Sequence, residues 1–522
     1  MTFRASLSEI VAADEQGVLA AHTTWCRVPL AEIANIVNGF AFPSGNFTKD
    51  SGTPLLRIRD ILRNDTETYY RGEYDPAYLV EPGNLVVGMD GDFNCALWQG
   101  PRALLNQRVC KLVPDERFYS KKLLSFILPG YLNAINANTP SVTVKHLSSI
   151  TVAEIPLPLP PLREQEKIVG EIEKQFTRLE AGVVALKRVQ VNLKRYRAAV
   201  LKAAVEGRLV PTEAELARRE GRSYEPASEL LERILAERKF AVTQPLLAVP
   251  KKAQAGVPVP PKTKSREPAA PDTTDLPKLP DGWAWCSLRM LIIEGPQNGL
   301  YLPRSAYGGG VPILRIDDFQ DGWSRNSDEL RQVHASSAEE KCYALKVGDL
   351  VINRVNSPSH LGKALLVEQK NLPALFESNM MRLLLVAGLN SRFIEMYLRS
   401  KDGRARLIQR AKWAVNQASI NQTDVGLTLA PIPPIAEQHR IVAEVERRLS
   451  VIDELEMQVE ANLKRAERLR QAILKRAFEG KLVPQDPNDE PASMLLERIR
   501  AERQTKSLIN KPDRRAKRAD ES

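Results

Sequence analysis

The sequence has few of the residues from which metal centres and disulfide frameworks are built. Its five cysteines are an odd number, are scattered over 522 residues and form no Cys-x-x-Cys pair, and its five histidines show no metal-ligand spacing. This pattern argues against a zinc site and favours free thiols in a reducing compartment. We therefore expect no metal site in this chain.

Motifs for nucleotide chemistry and methyl transfer are also missing. No Gly-rich loop leads into Lys and then Ser or Thr, so a phosphate-binding loop is not predicted. The double prolines follow Leu, Val or Ile and lack the Asn or Asp and the aromatic residue with which amino-methyltransferases hold a flipped base. Asp281, Glu339 and Lys341 could be combined into a nuclease cluster, but their spacing is unusually long. The sequence therefore predicts no catalytic residue.

Long apolar runs are absent as well. No stretch approaches the roughly 18 apolar residues of a membrane span, and residues 1–16 contain acidic residues where a secretory signal would be basic and then apolar. We expect a cytoplasmic protein with no membrane contact. The 74 Lys and Arg exceed the 64 Asp and Glu, for a net charge of +10. That balance favours a polyanionic partner, and nucleic acid is the first choice.

The chain does contain a long internal repeat. Residues 160–211 return as residues 433–484 at a constant offset of 273, without a gap. Each copy opens with a proline pair and a Glu-Gln pair, and each closes at a glycine, Gly207 or Gly480, that stands four residues before a proline. Proline at the start and glycine at the end are typical helix boundaries. Each copy is therefore predicted to be one long helix.

Apolar residues inside each copy recur at alternating steps of three and four. This is the a/d seam of a coiled coil, and at ~1.5 Å per residue each helix would be roughly 70 Å long. The alternative, two ordinary core helices, is disfavoured by that length. We predict that the helices pair through Val169, Ile172, Phe176, Leu179, Val442, Val445, Leu449 and Ile452.

Short β-type runs broken by Gly, Pro and Asn precede each long helix. The second set echoes the first: Pro54–Ile58 returns at residues 312–316, an offset of 258, and Trp25-Cys26 matches Trp285-Cys286, an offset of 260. The fold class is α+β. The predicted units are a lead-in over 1–22, a mixed α/β domain over 23–158, a long and a short helix over 159–240, a Pro/Ala/Lys-rich linker over 241–280, a second mixed domain over 281–431, a second long and short helix over 432–504, and a basic disordered tail over 505–522.

Side chains suited to nucleic acid lie at strand ends and in polar loops of both domains. Arg, Lys and Asn are the residues that fork onto base edges and phosphates. The predicted DNA contacts are Arg57, Arg59, Arg63, Asn94, Arg315, Arg354, Asn356, His360 and Lys363. For any one of them, a solvated surface residue or a structural hydrogen bond is the alternative. Arg57 and Arg315 occur in both halves, so we expect them to share a role, either packing or phosphate contact.

Two variable domains, each running into Pro-Leu/Ile-Pro-Pro-x-x-Glu-Gln-x-x-Ile-Val, resemble the specificity subunit of type I restriction-modification systems. The resemblance covers nearly the whole chain and is carried by residues 160–169 and 433–442. Residues 106–108, Asn-Gln-Arg, also match that family, whereas the second half offers only Asn379-Met380-Met381 at the place we matched to them. Further matches are residues 57–61 with 315–319, and the turns at Gly83 and Gly348.

The resemblance implies that each domain is a target-recognition domain that reads one half of a split DNA site. The two long helices would be antiparallel, form a coiled coil that fixes the spacing, and dock two methyltransferase subunits. Restriction and translocase subunits would add cleavage. The chain would be non-catalytic and bind no cofactor, with S-adenosylmethionine, ATP and Mg held by its partners. The alternative is a non-catalytic coiled-coil adaptor joining two protein- or RNA-binding domains.

Overall fold

The computed structural model describes residues 5–14, 17–140, 145–243, 273–274, 276–320, 322–357, 360–413 and 417–509. The chain forms two compact units, Met1–Lys187 with Glu460–Ser522, here called unit 1, and Arg188–Val459, here called unit 2. Most of the linker expected over 241–280, and residues 510–522 of the expected tail, lie outside the described residues. No helix in the described ranges is both long and apolar enough to cross a membrane.

The first half of the chain contains the first β-rich domain and the first long helix. Its helices are α1 (Leu7–Ala12), α2 (Leu30–Ile33), α3 (Lys121–Asn138), α4 (Ser149–Ala153), α5 (Leu162–Val205), α6 (Glu213–Glu220) and α7 (Ala227–Thr243). Its strands are β1 (Cys26–Pro29), β2 (Ala34–Asn38), β3 (Phe47–Thr48), β4 (Thr53–Leu56), β5 (Tyr69–Tyr70), β6 (Leu79–Val80), β7 (Leu85–Gly88), β8 (Asn94–Leu97), β9 (Ala103–Leu105), β10 (Val109–Pro114) and β11 (Pro156–Leu159).

The second half repeats this plan with different connections. Its strands are β12 (Ala284–Ser287), β13 (Ile292–Asn298), β14 (Tyr307–Leu314), β15 (Phe319–Gln320), β16 (Trp323–Ser324), β17 (Arg331–Val333), β18 (Asp349–Asn353), β19 (Val355–Asn356), β20 (Ala364–Leu366), β21 (Leu375–Phe376), β22 (Met380–Leu385), β23 (Lys412–Trp413), β24 (Ala418–Ser419) and β25 (Leu429–Ile432). Its helices are α8 (Leu288–Leu291), α9 (Ser337–Tyr343), α10 (Ser391–Arg399), α11 (Lys401–Ile408), α12 (Gln422–Gly426), α13 (Ile435–Phe478) and α14 (Ala492–Ile509).

The same antiparallel sheet lies at the centre of both domains. In unit 1 the strand order is β2-β10-β7-β8, and in unit 2 it is β13-β22-β18-β20, so corresponding strands occupy corresponding places. Side chains alternate between the two faces of β10, and Cys110 and Leu112, two residues apart, join the core that α3 covers with Leu124, Ile127 and Tyr131. Further sheets include the five-stranded β3-β5-β4-β9-β6 in unit 1 and the three-stranded β17-β14-β21 in unit 2.

The pairing register corrects one match drawn from the sequence. Cys26 on β1 lies opposite Leu159, and Ala284 on β12 lies opposite Ile432. Because Leu159 and Ile432 are equivalent positions of the long repeat, Trp25 corresponds to Trp283. The sequence match of Trp25-Cys26 with Trp285-Cys286 was therefore wrong by two residues. Trp-Ala-Trp-Cys offers two tryptophans, and only the sheet register distinguishes them.

A second correction concerns the Asn-Gln-Arg segment of the first domain. Asn106 forms a parallel bridge with Phe40, and in unit 2 Glu377 forms the same bridge with Leu300. Glu377 is thus the structural counterpart of Asn106, and the match of Asn106 to Asn379 was wrong by two residues. A neutral side chain in one domain stands where the other domain has a carboxylate.

The long helices α5 and α13 each span 44 residues. Both end in a left-handed glycine, with φ of 67° at Gly207 and 68° at Gly480. The N–H groups of Arg208 and Lys481, just beyond the glycines, donate to carbonyls five residues back at 2.8 Å, which satisfies the last turn of each helix.

Side-chain burial along the helices follows the predicted three–four spacing. From Leu179 to Val200, buried or half-buried side chains occur only at Leu179, Val183, Leu186, Gln190, Leu193, Arg197 and Val200. From Leu449 to Ile473 they occur only at Leu449, Ile452, Glu456, Val459, Leu463, Ala466 and Ile473. A stripe this narrow is the seam of a two-helix coiled coil.

Contacts within each unit show that the helices run antiparallel. In unit 1 the Arg470 guanidinium lies 4.3 Å from the centre of the Phe176 ring. In unit 2, Arg197, further along α5, contacts Glu456 at 3.1 Å, which is earlier on α13. The fold class is confirmed: two mixed α/β domains with two long antiparallel helices that form a coiled coil.

The segments flanking these elements are more ordered than the sequence suggested. The predicted lead-in over 1–22, for which no helix was expected, contains α1, and its Ile10 and Leu19 are buried in the core of unit 1. Helix α6 was not predicted. Helix α14 extends to Ile509, into the segment expected to be disordered, and its Leu495 and Ile499 pack in the same core as Ile10. Apolar residues at helical spacing explain the packing of α14.

Candidate nucleic-acid interface

The arginines after strand β4 sit on a tight turn in unit 1. The Asp60 carboxylate, 2% exposed, accepts the backbone N–H of Arg57 at 3.0 Å and so holds the turn Ile58–Asp60. Arg57 is half-buried and forms no ion pair with a described residue. Arg59 is exposed and lies 3.7 Å from Asp60, while Arg63 pairs with Glu67 at 3.0 Å in solvent. Exposed pairs of this kind contribute ~0–1 kcal/mol, so these cations remain free to exchange partners.

Asn94, at the start of β8, lies beside the tip of the β7–β8 hairpin. Its Oδ1 atom is buried and has no hydrogen-bond partner among the described residues.

A cluster that the sequence did not reveal surrounds Asp90 in the turn of the same hairpin. Asp90 Oδ1 is 2.6 Å from His146 Nδ1, and Asp90 Oδ2 is 3.6 Å from Arg108 Nε. Arg108 has a φ of 70°, a conformation few side chains adopt without tertiary support.

Arg315 of unit 2 follows β14 as Arg57 follows β4, but it is held differently. Its backbone N–H donates to Asp318 at 2.8 Å, the same turn as in unit 1. Its Nε donates to Glu377 at 3.1 Å, and its guanidinium lies 5.7 Å from the centre of the Tyr307 ring. Glu377 therefore neutralises Arg315 within the fold.

The other predicted contacts of unit 2 come together in the loop between β18 and β20. Arg354 donates to the Ser378 carbonyl at 2.9 Å, and burial lowers its pKa. Asn356 accepts the backbone N–H of Ser357 at 2.5 Å, and His360 Nδ1 lies 3.0 Å from the hydroxyl of the same serine. Lys363 is only 9% exposed and lies 3.5 Å from Gln320. The described residues of this loop form hydrogen bonds within the fold, and DNA contact by their side chains stays a prediction.

The Glu-Gln pair of the repeat joins each long helix to its domain. In unit 1 the indole N–H of Trp25 donates to Glu164 at 3.0 Å. Gln165, 0% exposed, accepts the N–H of Ser120 at 2.8 Å, and Ser120 is the residue that caps α3. Gln165 also donates to the carbonyls of Phe118 and Pro160. The start of α5 is thus locked to the domain through buried hydrogen bonds.

Unit 2 builds the same junction from equivalent residues. The indole N–H of Trp283 donates to Glu437 at 2.9 Å, and Gln438 accepts the N–H of Asn390, which caps α10, at 2.9 Å. The other oxygen of Glu437 accepts the backbone N–H of Glu213 at the start of α6. Burial raises the pKa of Glu437, as it does that of Glu164 in unit 1.

The residues predicted to pair the helices are buried or half-buried on α5 and α13, and their pairing with one another stays a prediction. Seven of them are 0–8% exposed, and Leu179 is half-buried. Val169, Ile172 and Phe176 also belong to the core of unit 1, where Phe126 of α3 meets Phe176 edge-on with the ring centres 5.7 Å apart. This end of α5 therefore packs on its domain as well as along the seam.

Comparison with known proteins shows which family this chain resembles. Residues 22–184 match the family model of the type I restriction modification DNA specificity domain. The EcoBI specificity subunit of Escherichia coli is 32% identical over 515 residues, 96% of this chain and 97% of that one. The StySPI specificity subunit of Salmonella potsdam is 25% identical, over 92% of this chain and 95% of that one.

A solved structure from a type I R-M system, described in terms of complex assembly and conformational transition, covers 88% of this chain and 99% of its own. Its TM-score is 0.54 at 19% identity, which shows a shared fold. The fold and the sequence matches define the class as a restriction-modification protein carrying a DNA specificity domain. The chain belongs to the family of type I restriction enzyme specificity subunits, so the family reading is supported over the adaptor alternative.

Proposed function

We propose that each domain reads one half of a split DNA site in double-stranded DNA and that the paired helices fix the number of base pairs between the halves. The observation that carries this proposal is that two domains of one frame present different polar groups after equivalent strands: Arg57 forms no ion pair with a described residue, whereas Arg315 pairs with Glu377. A common backbone frame with different polar groups suits two different half-sites, because base edges are distinguished by hydrogen-bond pattern.

The chain supplies recognition in this proposal, and its partners supply the chemistry. Two methyltransferase subunits dock on the helices and bring S-adenosylmethionine, while restriction and translocase subunits bring ATP and Mg. The support is the family membership together with a sequence that lacks phosphate-loop and methyltransferase motifs. Type I R-M assembly in the related solved system is consistent with such partners. The cytoplasm, where DNA is accessible, is the expected compartment.

The primary test is co-expression of the full chain with its candidate methyltransferase subunit, followed by mapping of methylated adenines on genomic DNA. The expected result is one split motif, methylated in both halves at a constant spacing. An assembled complex that binds S-adenosylmethionine and yet methylates no motif would overturn the proposal and favour a non-catalytic adaptor.

The spacer function has its own test. Removing residues 183–189 and 463–469 deletes one heptad from each helix and keeps the three–four spacing of the seam. Seven residues at ~1.5 Å each shorten the helices by about 10 Å, or about three base pairs at ~3.4 Å. The expected motif keeps both half-sites with a gap shorter by about three base pairs. Replacing the same heptads with others of equal length is the control, and an unaltered gap in the deletion would contradict the spacer.

A further inference from the structure

A large aromatic side chain is exposed in unit 2 at a place that the sequence prediction did not include. Trp413 lies on β23, at the edge of the three-stranded sheet β19-β24-β23, and is 57% exposed. It has no aromatic or hydrogen-bonding partner among the described residues. Indole surface left in water is unfavourable by about 25 cal/mol per Å², which favours a partner that covers it.

The sheet register places Trp413 beside a predicted DNA contact. Trp413 and Asn356 both lie opposite Ala418, from its two sides. Residues directly opposite each other in antiparallel strands project from the same face, so these three side chains form one row. Ala418 is small and 1% exposed, which leaves Trp413 and Asn356 as the outer members of that row.

The surroundings of Trp413 are basic. Arg410 and Lys412 are exposed, and neither lies within 4 Å of a carboxylate in the part of the chain that the structure describes. Between residues 401 and 420 the sequence has five Lys and Arg and one Asp. Lys412 precedes Trp413 on the strand and therefore projects from the opposite face of the ribbon.

We propose that the paired strands β23 and β24 lie in a groove of the second half-site, where Trp413 packs against the duplex and Lys412 contacts a phosphate. This inference rests on the proposed function. The major groove accepts a two-stranded β-ribbon, and apolar side chains that pack against or between bases are a known means of reading DNA shape. Because positive charges lie beside the exposed Trp413 at this sheet edge, a polyanion is favoured over a second protein surface as the partner that covers it.

The test measures DNA affinity of the full chain assembled with its methyltransferase subunits, by fluorescence anisotropy at several salt concentrations. The probes are duplexes carrying the mapped motif, or the motif with one half-site replaced. The variants are Trp413→Ala, Trp413→Phe and Lys412→Ala. Val347→Ala is the matched control, because Val347 is also 57% exposed in unit 2 and lies on a turn before β18.

Trp413→Ala is expected to weaken binding at least fivefold, which is about 1 kcal/mol, with an unchanged salt slope, because the variant loses an apolar contact with the duplex and no charge. Trp413→Phe is expected to keep most of the affinity. Lys412→Ala is expected to reduce the salt slope by about one. The Trp413 effect is expected to persist when the first half-site is replaced and to shrink when the second is replaced. Val347→Ala is expected to match the wild type.

Equal affinity of Trp413→Ala and wild type on every duplex would overturn the inference. So would a variant that binds DNA normally but no longer assembles with the methyltransferase subunits, since the indole would then face a protein. If the wild-type complex itself methylates no split motif, the proposed function fails, and that result is distinct from a failure of this inference.

Discussion

Arg57 and Arg315 occupy the same place in two domains of one design, yet their charges are handled in opposite ways. Both follow a strand, and both have a backbone N–H held by an aspartate three residues on, at 3.0 and 2.8 Å. Glu377 pairs with Arg315, whereas the first domain has the neutral Asn106 at that position. The two domains therefore share a backbone frame but differ in how the charge at this position is paired. Arg57 is available to contact DNA, whereas Arg315 forms an ion pair within its own domain.

The largest expected effect concerns the tryptophan–glutamate hydrogen bond that joins each domain to its long helix, a feature that the two units share. Trp283→Ala should destabilise unit 2 by about 3–5 kcal/mol, because it leaves a cavity and removes a donor from buried Glu437. Trp25→Ala should do the same in unit 1. Hydrogen exchange resolved by unit would measure both. Trp285→Ala is the matched control, and a larger effect there than at Trp283 would show that the structural register is wrong.

The second prediction tests whether Arg315 and Arg57 contribute differently to the stability of their units. Arg315→Ala leaves the Glu377 carboxylate, 9% exposed, without its cation and should destabilise unit 2 by about 1–3 kcal/mol. Arg57→Ala should change the stability of unit 1 by less than about 0.5 kcal/mol. Urea unfolding with a double-mutant cycle on Arg315 and Glu377 would measure the coupling. Equal effects of the two arginine variants would remove the distinction between the domains.

The helix ends offer a smaller comparison. Gly207→Ala and Gly480→Ala should each destabilise the chain by about 1 kcal/mol or more, because both glycines have positive φ. An added Cβ would also lie 2.6 Å from Pro280 at Gly207 and 2.8 Å from His22 at Gly480. Gly221→Ala, with φ of 65° and nothing within 4 Å, measures the backbone strain alone. Thermal unfolding should therefore rank Gly221→Ala as the mildest of the three.

The smallest expected effect is on DNA binding by the two arginines. Arg57→Ala should lower affinity a few-fold and reduce the salt slope by about one, as the loss of one phosphate contact does. Arg315→Ala should leave the salt slope unchanged, because Glu377 already neutralises that charge. Anisotropy titrations on the mapped duplex would measure both slopes. A lower slope for Arg315→Ala alone would reverse the comparison.

The sequence by itself determined the helices, the seam and the twofold plan of the chain. Proline pairs, the closing glycines Gly207 and Gly480, and the three–four spacing act over one or two turns, so they can be interpreted without knowledge of distant residues. Their burial pattern in α5 and α13 follows that spacing. The predicted DNA contacts were chosen by residue type. They therefore include both Arg57, which forms no ion pair with a described residue, and Arg315, which pairs with Glu377.

Only the tertiary structure decided which distant groups meet. Trp283 reaches Glu437 across 154 residues, and Arg315 reaches Glu377 across 62. The sheet register, and not the sequence match, assigned Trp25 to Trp283 and brought Trp413 beside Asn356. The physical reason is that a strand's side chains alternate with period two, so a shift of two residues preserves the local pattern and changes every partner.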